Sequence, residues 1–251
     1  MKILTRILAV CFAFLMCFSF AGCGKNTDYV IYSDNSFAPF EFYDEKEQKY
    51  VGVDMEILAA IAEDQGFTYE MKNEGFDAAM GAVQSGQADA MIAGMTINDE
   101  RKETFDFSEG YFKDGTIMVV AKDSGIQSAE ELAGKKVVCK TSTTSTKYAE
   151  SIKDEIGFEI IYVEGSPEMY QTVQSGQADA CFEDYSVIAW AIKQGNVDLK
   201  TVGKIVNEGF YGFAVKKGTN PELIEKFNAG LKNIKESGKY AEILAKYGYE
   251  A

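Results

Sequence analysis

One eight-residue string occurs twice in this chain, and it restricts the fold more than any other feature. Val83-Gln84-Ser85-Gly86-Gln87-Ala88-Asp89-Ala90 returns, letter for letter, as Val173-Gln174-Ser175-Gly176-Gln177-Ala178-Asp179-Ala180. Identity over eight positions marks one structural unit used in two places. The unit reads as the end of a helix, a glycine in the left-handed cap position and the start of a buried strand. Its sequels differ. The first copy continues through Met91-Ile92-Ala93-Gly94-Met95-Thr96 towards Arg101, and the second through Cys181-Phe182 to Glu183 and Asp184. In open α/β sheets ligands sit beyond the carboxyl ends of strands. The pair therefore predicts a cleft with one half-site in each of two similar lobes, cationic on one side and acidic on the other, which suits a zwitterion.

Other classes of function are narrowed by what is scarce. The 251 residues contain no histidine, which removes the commonest general base and the usual zinc ligand together. A formal charge of −14 argues against a nucleic-acid partner, since a phosphate backbone requires a basic surface. Residues 1–22 read as an export signal: Lys2 and Arg6 precede an apolar run from Ile7 to Gly22, too short to span a bilayer. Phe20-Ala21-Gly22-Cys23 resembles a bacterial lipobox, with phenylalanine in place of the more usual leucine. The expectation is cleavage before Cys23, lipid on its sulfur, a leash over 23–27 and a protein tethered outside the cytoplasmic membrane. Cys139 and Cys181 then remain in the folded part, each ending a strand-like run, and are expected as free buried thiols.

Along the chain, strand and helix signals alternate. Tyr29 to Tyr32 reads as a buried strand, and Glu41 to Val53 as a hairpin-like excursion. Asp54 is expected to cap a helix carrying Ile57, Leu58 and Ile61 on one face and stopped by Gly66. A strand at Phe67 to Met71 and a helix from about Asp77 lead into the first repeat. A second series starts at Thr116 to Val120. It continues through a capping box at Ser128 to Glu131, a strand at Lys136 to Cys139, a helix after Thr143, a strand at Phe158 to Val163 and a helix opened by Ser166-Pro167. A buried helix at Tyr185 to Gln194, a strand at Tyr211 to Val215 and helices from Asn220 and Lys239 close the chain. The alternation predicts doubly wound α/β lobes.

Among candidate site residues, Arg101 offers a planar fork of donors for a carboxylate, and Thr143, Thr144 and Ser145 offer hydroxyls and free amides at a helix start. The plain alternatives are a surface salt bridge with Asp99 or Glu100 for Arg101, and helix capping for the threonines. Asp184, with the Gly94 carbonyl and the Thr96 hydroxyl, supplies acceptors for an ammonium; it could equally cap the helix that begins at Tyr185. Phe37 and Phe76 are candidates to flank the aliphatic part of a ligand, or to be core.

Four stretches carry a resemblance: Ser33 to Phe42, Tyr50 to Asp54, Ala93 to Arg101, and Asp106 to Tyr111. From about Asp28 onward the chain resembles the solute-binding proteins of polar amino-acid ABC importers, most closely the glutamine-binding branch. The resemblance implies a two-lobed, type II venus-flytrap α/β fold with two hinge-crossing strands. Lobe 1 would comprise 28–112 and 211–251, and lobe 2 113–210. Arg101 would grip the α-carboxylate with the Thr96 amide and the Thr143-Thr144 turn. Asp184 would take the α-ammonium with Gly94 and Thr96, Ala93 standing beside them. Phe37 and Phe76 would flank the side chain, while Asp34, Lys140 and Glu183 would read its far end. Lys140 and Asp34 match the glutamine pattern. Ser142 stands where the family usually has glycine, and Glu183 adds a carboxylate that would favour arginine or lysine. The implied protein is a monomer that closes on an amino acid and delivers it to a membrane permease, without cofactor, metal or catalysis. An enzyme on the same fold, with Glu183 as general acid, and a sensor module are the competing readings.

Overall fold

The computed structural model describes residues 27–251. The leader, Cys23 and its expected lipid lie outside the described residues. The chain opens with β1 (Tyr29–Ser33), the excursion β2 (Ser36–Phe37), β3 (Glu41–Asp44) and β4 (Lys49–Val51), then α1 (Val53–Gln65), β5 (Tyr69–Asn73), α2 (Phe76–Ser85), β6 (Ala90–Met91), α3 (Asp99–Lys102) and β7 (Phe105–Phe107). It crosses over through β8 (Phe112–Ala121) to β9 (Lys136–Lys140), α4 (Thr144–Ile156), β10 (Glu159–Val163), α5 (Ser166–Gln174), β11 (Ala180–Asp184) and α6 (Tyr185–Lys193). It returns through β12 (Leu199–Tyr211) to β13 (Ala214–Lys216), α7 (Pro221–Glu236) and α8 (Lys239–Lys246). Two five-stranded sheets result, ordered β5-β1-β6-β13-β7 and β10-β9-β11-β8-β12, beside the small sheet β2-β3-β4. This is the two-lobed type II architecture. The long antiparallel pair β8 and β12 joins the lobes, and Tyr211 at its end bridges to Thr96 on the first lobe. Among the described residues no helix is long and apolar enough to cross a membrane.

The repeated octapeptide builds the same joint twice. In the first copy the amides of Gly86, Gln87 and Ala88 return to the carbonyls of Val83, Ala82 and Ala82; in the second, those of Gly176, Gln177 and Ala178 return to Val173, Thr172 and Thr172. Gly86 (φ 78°) and Gly176 (φ 74°) supply the left-handed turn that a side chain would strain. The aspartate then ties the unit to the next strand. Asp89 exchanges two hydrogen bonds with Val30, amide to carbonyl and carboxylate to amide, each 2.8 Å; Asp179 does the same with Lys136, at 2.8 and 2.9 Å. Each copy thus fixes the start of a central strand, β1 or β9, whose far end reaches the cleft.

Each sheet is packed on both faces. In lobe 1, Ile57, Leu58 and Ile61 of α1 meet Leu223, Phe227 and Leu231 of α7, all almost fully buried. Burying each such side chain contributes about 1.5–3 kcal/mol. Gly230 lets the two helices approach, since a Cβ there would lie 2.8 Å from Ile61 Cγ2. In lobe 2, Cys181 packs with Val138 on one face and Cys139 with Val137 on the other. The two thiols are free, as expected, because adjacent parallel strands turn them to opposite sides.

Several local expectations fail for identifiable reasons. Ser128 to Glu131 forms a 3-10 turn without a side-chain cap rather than a boxed α-helix. The strand expected over 211–215 is two elements, β12 ending at Tyr211 and β13 starting at Ala214. Asp54 does not cap α1. The cap position is Gly52 (φ 138°), where a Cβ would come within 2.1 Å of the Phe40 carbonyl oxygen.

Asp54 is instead fully buried, accepting the Gly94 amide and the Tyr111 hydroxyl, both at 2.8 Å. Its other oxygen and both oxygens of Glu41, also fully buried, have no other protein donor, and the two carboxyls stand within hydrogen-bonding reach of each other. A shared proton satisfies this geometry. Burial, reinforced by Asp54, raises Glu41 well above the ordinary carboxylate range, and burial raises Asp54 to about 7. The folded state then binds more protons than the unfolded one, so this pair's stabilisation is complete at acid pH and declines as pH rises through about 7. Glu41→Gln keeps a donor without an ionising group and should flatten that decline, by up to about 1.4 kcal/mol per pH unit. Equal losses of melting temperature from pH 5 to 8 in both proteins would contradict the shared proton.

Candidate functional site

Between the lobes lies a small cavity of about 20 Å³, measured as the space open to the centre of a water molecule. Phe37, Phe76, Ala93, Gly94, Thr96 and Arg101 line it from the first lobe, and Lys140, Thr143, Thr144, Glu183 and Asp184 from the second. Of the candidate residues, Asp34 and Ser145 are absent from this wall; Asp34 is paired with Lys140 and Ser145 is hydrogen-bonded to Asp184. Strand ends explain the convergence. β9, whose start the second repeat fixes, ends at Lys140, and β11, which follows that repeat, ends at Asp184.

Arg101 is 9% exposed, and among the described residues it makes no salt bridge. Its neighbours Lys102 and Glu100 pair elsewhere, with Asp99 and Lys147, so the surface-bridge alternative fails. The guanidinium donates to the carbonyl of Thr96 (2.8 Å) and, across the cleft, to that of Ser142 (3.0 Å), with Phe76 beneath it at 5.4 Å. Burial lowers it to about 10, against the opposing pull of Asp184 and Glu100, and it remains cationic at neutral pH. Ser142 accepts the left-handed backbone (φ 59°) that glycine would take more easily, so the turn survives the substitution.

Thr143 is the cap of α4: its hydroxyl oxygen accepts the Thr146 amide at 3.1 Å. Thr144 differs. Its Oγ1 is buried on the cavity wall without a partner. A helix start with free amides and an unused hydroxyl faces the same space as Arg101.

Asp184 supplies the opposite charge. It precedes α6, yet its side chain caps nothing; it accepts the Tyr211 hydroxyl at 2.6 Å and that of Ser145 at 3.1 Å, and it has no cationic partner among the described residues. Capping falls to Asp114, which accepts the Ser186 amide at 3.2 Å. Burial and the adjacent Glu183 raise Asp184 to about 6, with Tyr211, Ser145 and Arg101 acting the other way. Gly94 (φ 52°) completes this side, because a Cβ there would come within 2.5 Å of the Phe37 ring.

The far end is built on Lys140. Its ammonium pairs across the cleft with Asp34 and lies 4.7 Å from the Phe37 ring centroid and 5.7 Å from that of Phe76. Burial works against its charge, but Asp34, Glu183 and Glu41 outweigh it and hold Lys140 above the ordinary lysine value. Glu183 turns inward, accepting Tyr170 Oη and the Asp184 amide, each at 2.9 Å. Burial raises it in spite of Lys140. Tyr211 and Asp114 bear on Asp184 from the hinge strands, and sequence reasoning assigned neither a role there; Ser145, expected at the helix start for a carboxylate, instead donates to Asp184.

The chain is similar to known proteins over most of its length. A probable histidine-binding protein of Neisseria gonorrhoeae is 31% identical over 223 residues, 87% of this chain and 82% of that protein. An ancestral arginine-binding protein bound to glutamine superposes with a TM-score of 0.80 at 37% identity, covering 88% of this chain and 97% of the other. Substrate-binding domain 2 of Lactococcus lactis GlnP, in an open conformation, matches at 41% identity with a TM-score of 0.62, covering 89% and 96%. Residues 29–250 match the family profile itself, and the chain belongs to the bacterial extracellular solute-binding proteins, family 3.

Proposed function

We propose that this protein captures a free polar L-amino acid outside the cytoplasmic membrane by closing its two lobes, and delivers it to the permease of an ABC importer. One observation carries the reading. A buried guanidinium and a partly buried carboxylate line the same cavity, and among the described residues neither has a salt-bridge partner. Buried charges are tolerable when paired, and an α-amino acid supplies both partners at once. Arg101, Thr96 and the Thr143-Thr144 turn take the carboxylate, and Asp184, Gly94 and Thr96 take the ammonium. Phe37, Phe76 and Ala93 flank the side chain. The lobes, 28–112 with 211–251 and 113–210, move about β8 and β12. In support, the domain described as open superposes less well than the glutamine-bound ancestral protein despite its higher identity. The protein acts as a monomer held to the membrane by lipid on Cys23.

L-Glutamine is the preferred ligand. Lys140, held by Asp34 behind it, offers a donor to a side-chain amide oxygen, whereas a cationic side chain would meet the Lys140 ammonium. Arginine or lysine is the second reading, favoured by the extra carboxylate of Glu183 and by the relative named for arginine. Catalysis is not required: both Glu183 oxygens are held within lobe 2, and no bond need break. Thermal unfolding of the mature protein with each common amino acid tests the reading. At a hundred times its dissociation constant the true ligand adds about 2.7 kcal/mol. Glutamine should give the largest rise; a flat response to every amino acid ends the proposal, and a larger rise with arginine replaces the ligand.

A further inference from the structure

Behind the ammonium site, one hydroxyl serves two carboxylates. Tyr211 Oη lies 2.6 Å from Asp184 Oδ2 and 3.0 Å from Asp114 Oδ2. Tyr211 carries a single hydroxyl proton, so two ionised carboxylates would leave one of these oxygen contacts with no hydrogen in it. One further proton on the pair resolves this. Three strands bring the groups together: Asp114 comes from β8, Asp184 from the end of β11 and Tyr211 from the end of β12. Among the described residues no cation pairs with Asp114 to keep both carboxylates ionised. It faces Ser186 of α6, the Gly115 amide and Tyr211. Asp184 faces Ser145 of α4, its neighbour Glu183 and, at longer range, Arg101 of α3.

The geometry points to Asp114 as a positioning residue that, through Tyr211, stores one proton against Asp184 in the unliganded cleft and releases it when a ligand ammonium arrives. This rests on the amino-acid reading above. The balance is simple. Before binding, the pair holds one proton and a net charge of −1. Afterwards the ammonium sits on Asp184, both carboxylates are ionised, and one proton has passed to the buffer. Nothing else changes its bonding. Burial and Asp184 raise Asp114 to about 7, and Asp184 itself stands near about 6, so the release belongs to mildly acidic and neutral solution. The store also has a use in the empty protein, because it keeps two partly buried like charges from facing each other across Tyr211.

Titration calorimetry of the full mature protein tests this, with L-glutamine and L-arginine as probes because they share the α-ammonium. At about pH 6 the binding heats should differ between phosphate and bis-Tris, which take up the released proton with different enthalpies. At about pH 8.5 the difference should vanish. Affinity should rise with pH by up to about tenfold per unit below the cluster's titration. Asp114→Asn keeps the shape and the acceptor for the α6 cap but cannot store the proton, so it should bind with buffer-independent heats and a flat pH profile. Should that variant fail to fold, Tyr211→Phe removes the bridging hydroxyl and should move the midpoint to higher pH. Buffer-independent heats at about pH 6 in a protein that binds would overturn the inference. So would release that persists undiminished in Asp114→Asn, which would place the proton on Asp184 itself or on Glu183. Absence of binding by every amino acid overturns the functional reading and this inference with it.

Discussion

Arg101→Ala is expected to abolish amino-acid binding while leaving the empty protein folded and nearly as stable as before. The two halves of this expectation have different origins. Removing one partner of a buried, hydrogen-bonded charge pair costs about 2–5 kcal/mol of affinity, or about 30-fold to several thousand-fold in dissociation constant. In the unliganded protein, however, the guanidinium has no anion among the described residues and donates to the carbonyls of Thr96 and Ser142. Those two charge-assisted bonds are offset by the desolvation that burial imposes on the charge. A residue kept for structure would show the reverse, a large loss of stability with proportionate loss of function. Melting temperatures and calorimetric titrations with L-glutamine on both proteins separate the cases. Retention of wild-type affinity would remove Arg101 from the site.

The same asymmetry explains what could be read from the sequence. The repeat was legible because local rules govern it: helix end, left-handed glycine, strand start. Arg101 was legible through the chemistry of its guanidinium and the threonine turn through its place at a helix start, whereas Lys140 was legible only through the family resemblance. Failures occur where a tertiary partner outbids a local rule. Asp54 and Asp184 both stand at helix starts and satisfy the capping pattern, yet each side chain is taken by a tyrosine hydroxyl from distant chain, Tyr111 and Tyr211 respectively. Most of β12 was not read as a strand because Lys200, Gly203, Lys204, Asn207, Glu208 and Gly209 break any alternation. Its extended form follows from pairing with β8, through two register shifts. Asp114 and Tyr211 are 97 residues apart and become neighbours only once both hinge strands are in place. Glu41 gave no signal at all: a carboxyl between Phe40 and Phe42 reads as the polar position of an alternating strand, not as a fully buried acid.

Replacing Lys140 by methionine should convert the preference from a neutral amide to a cation. The lysine ammonium lies near both Phe37 and Phe76 and pairs with Asp34, which is where the positive end of an arginine or lysine side chain would go. The protein thus fills its own cation site. Methionine preserves the length and apolar bulk of the stem but leaves the aromatic faces, Asp34 and the nearby Glu183 without a positive charge. A buried carboxylate stripped of its partner costs about 3–5 kcal/mol, so Lys140→Met should melt well below the wild type when empty. L-Arginine or L-lysine should restore much of that loss by binding the folded form, and L-glutamine should not, having lost its donor to the amide oxygen. Like-charge contact across a closed site costs several kcal/mol, and each 1.4 kcal/mol is a factor of ten, so the arginine-to-glutamine affinity ratio should rise by about 100-fold or more. A variant that still prefers glutamine, or that no cationic amino acid stabilises, would mean that Lys140 closes the lobes without choosing the ligand. Specificity would then have to lie with Glu183, the remaining ionisable group at the far end of the cavity wall.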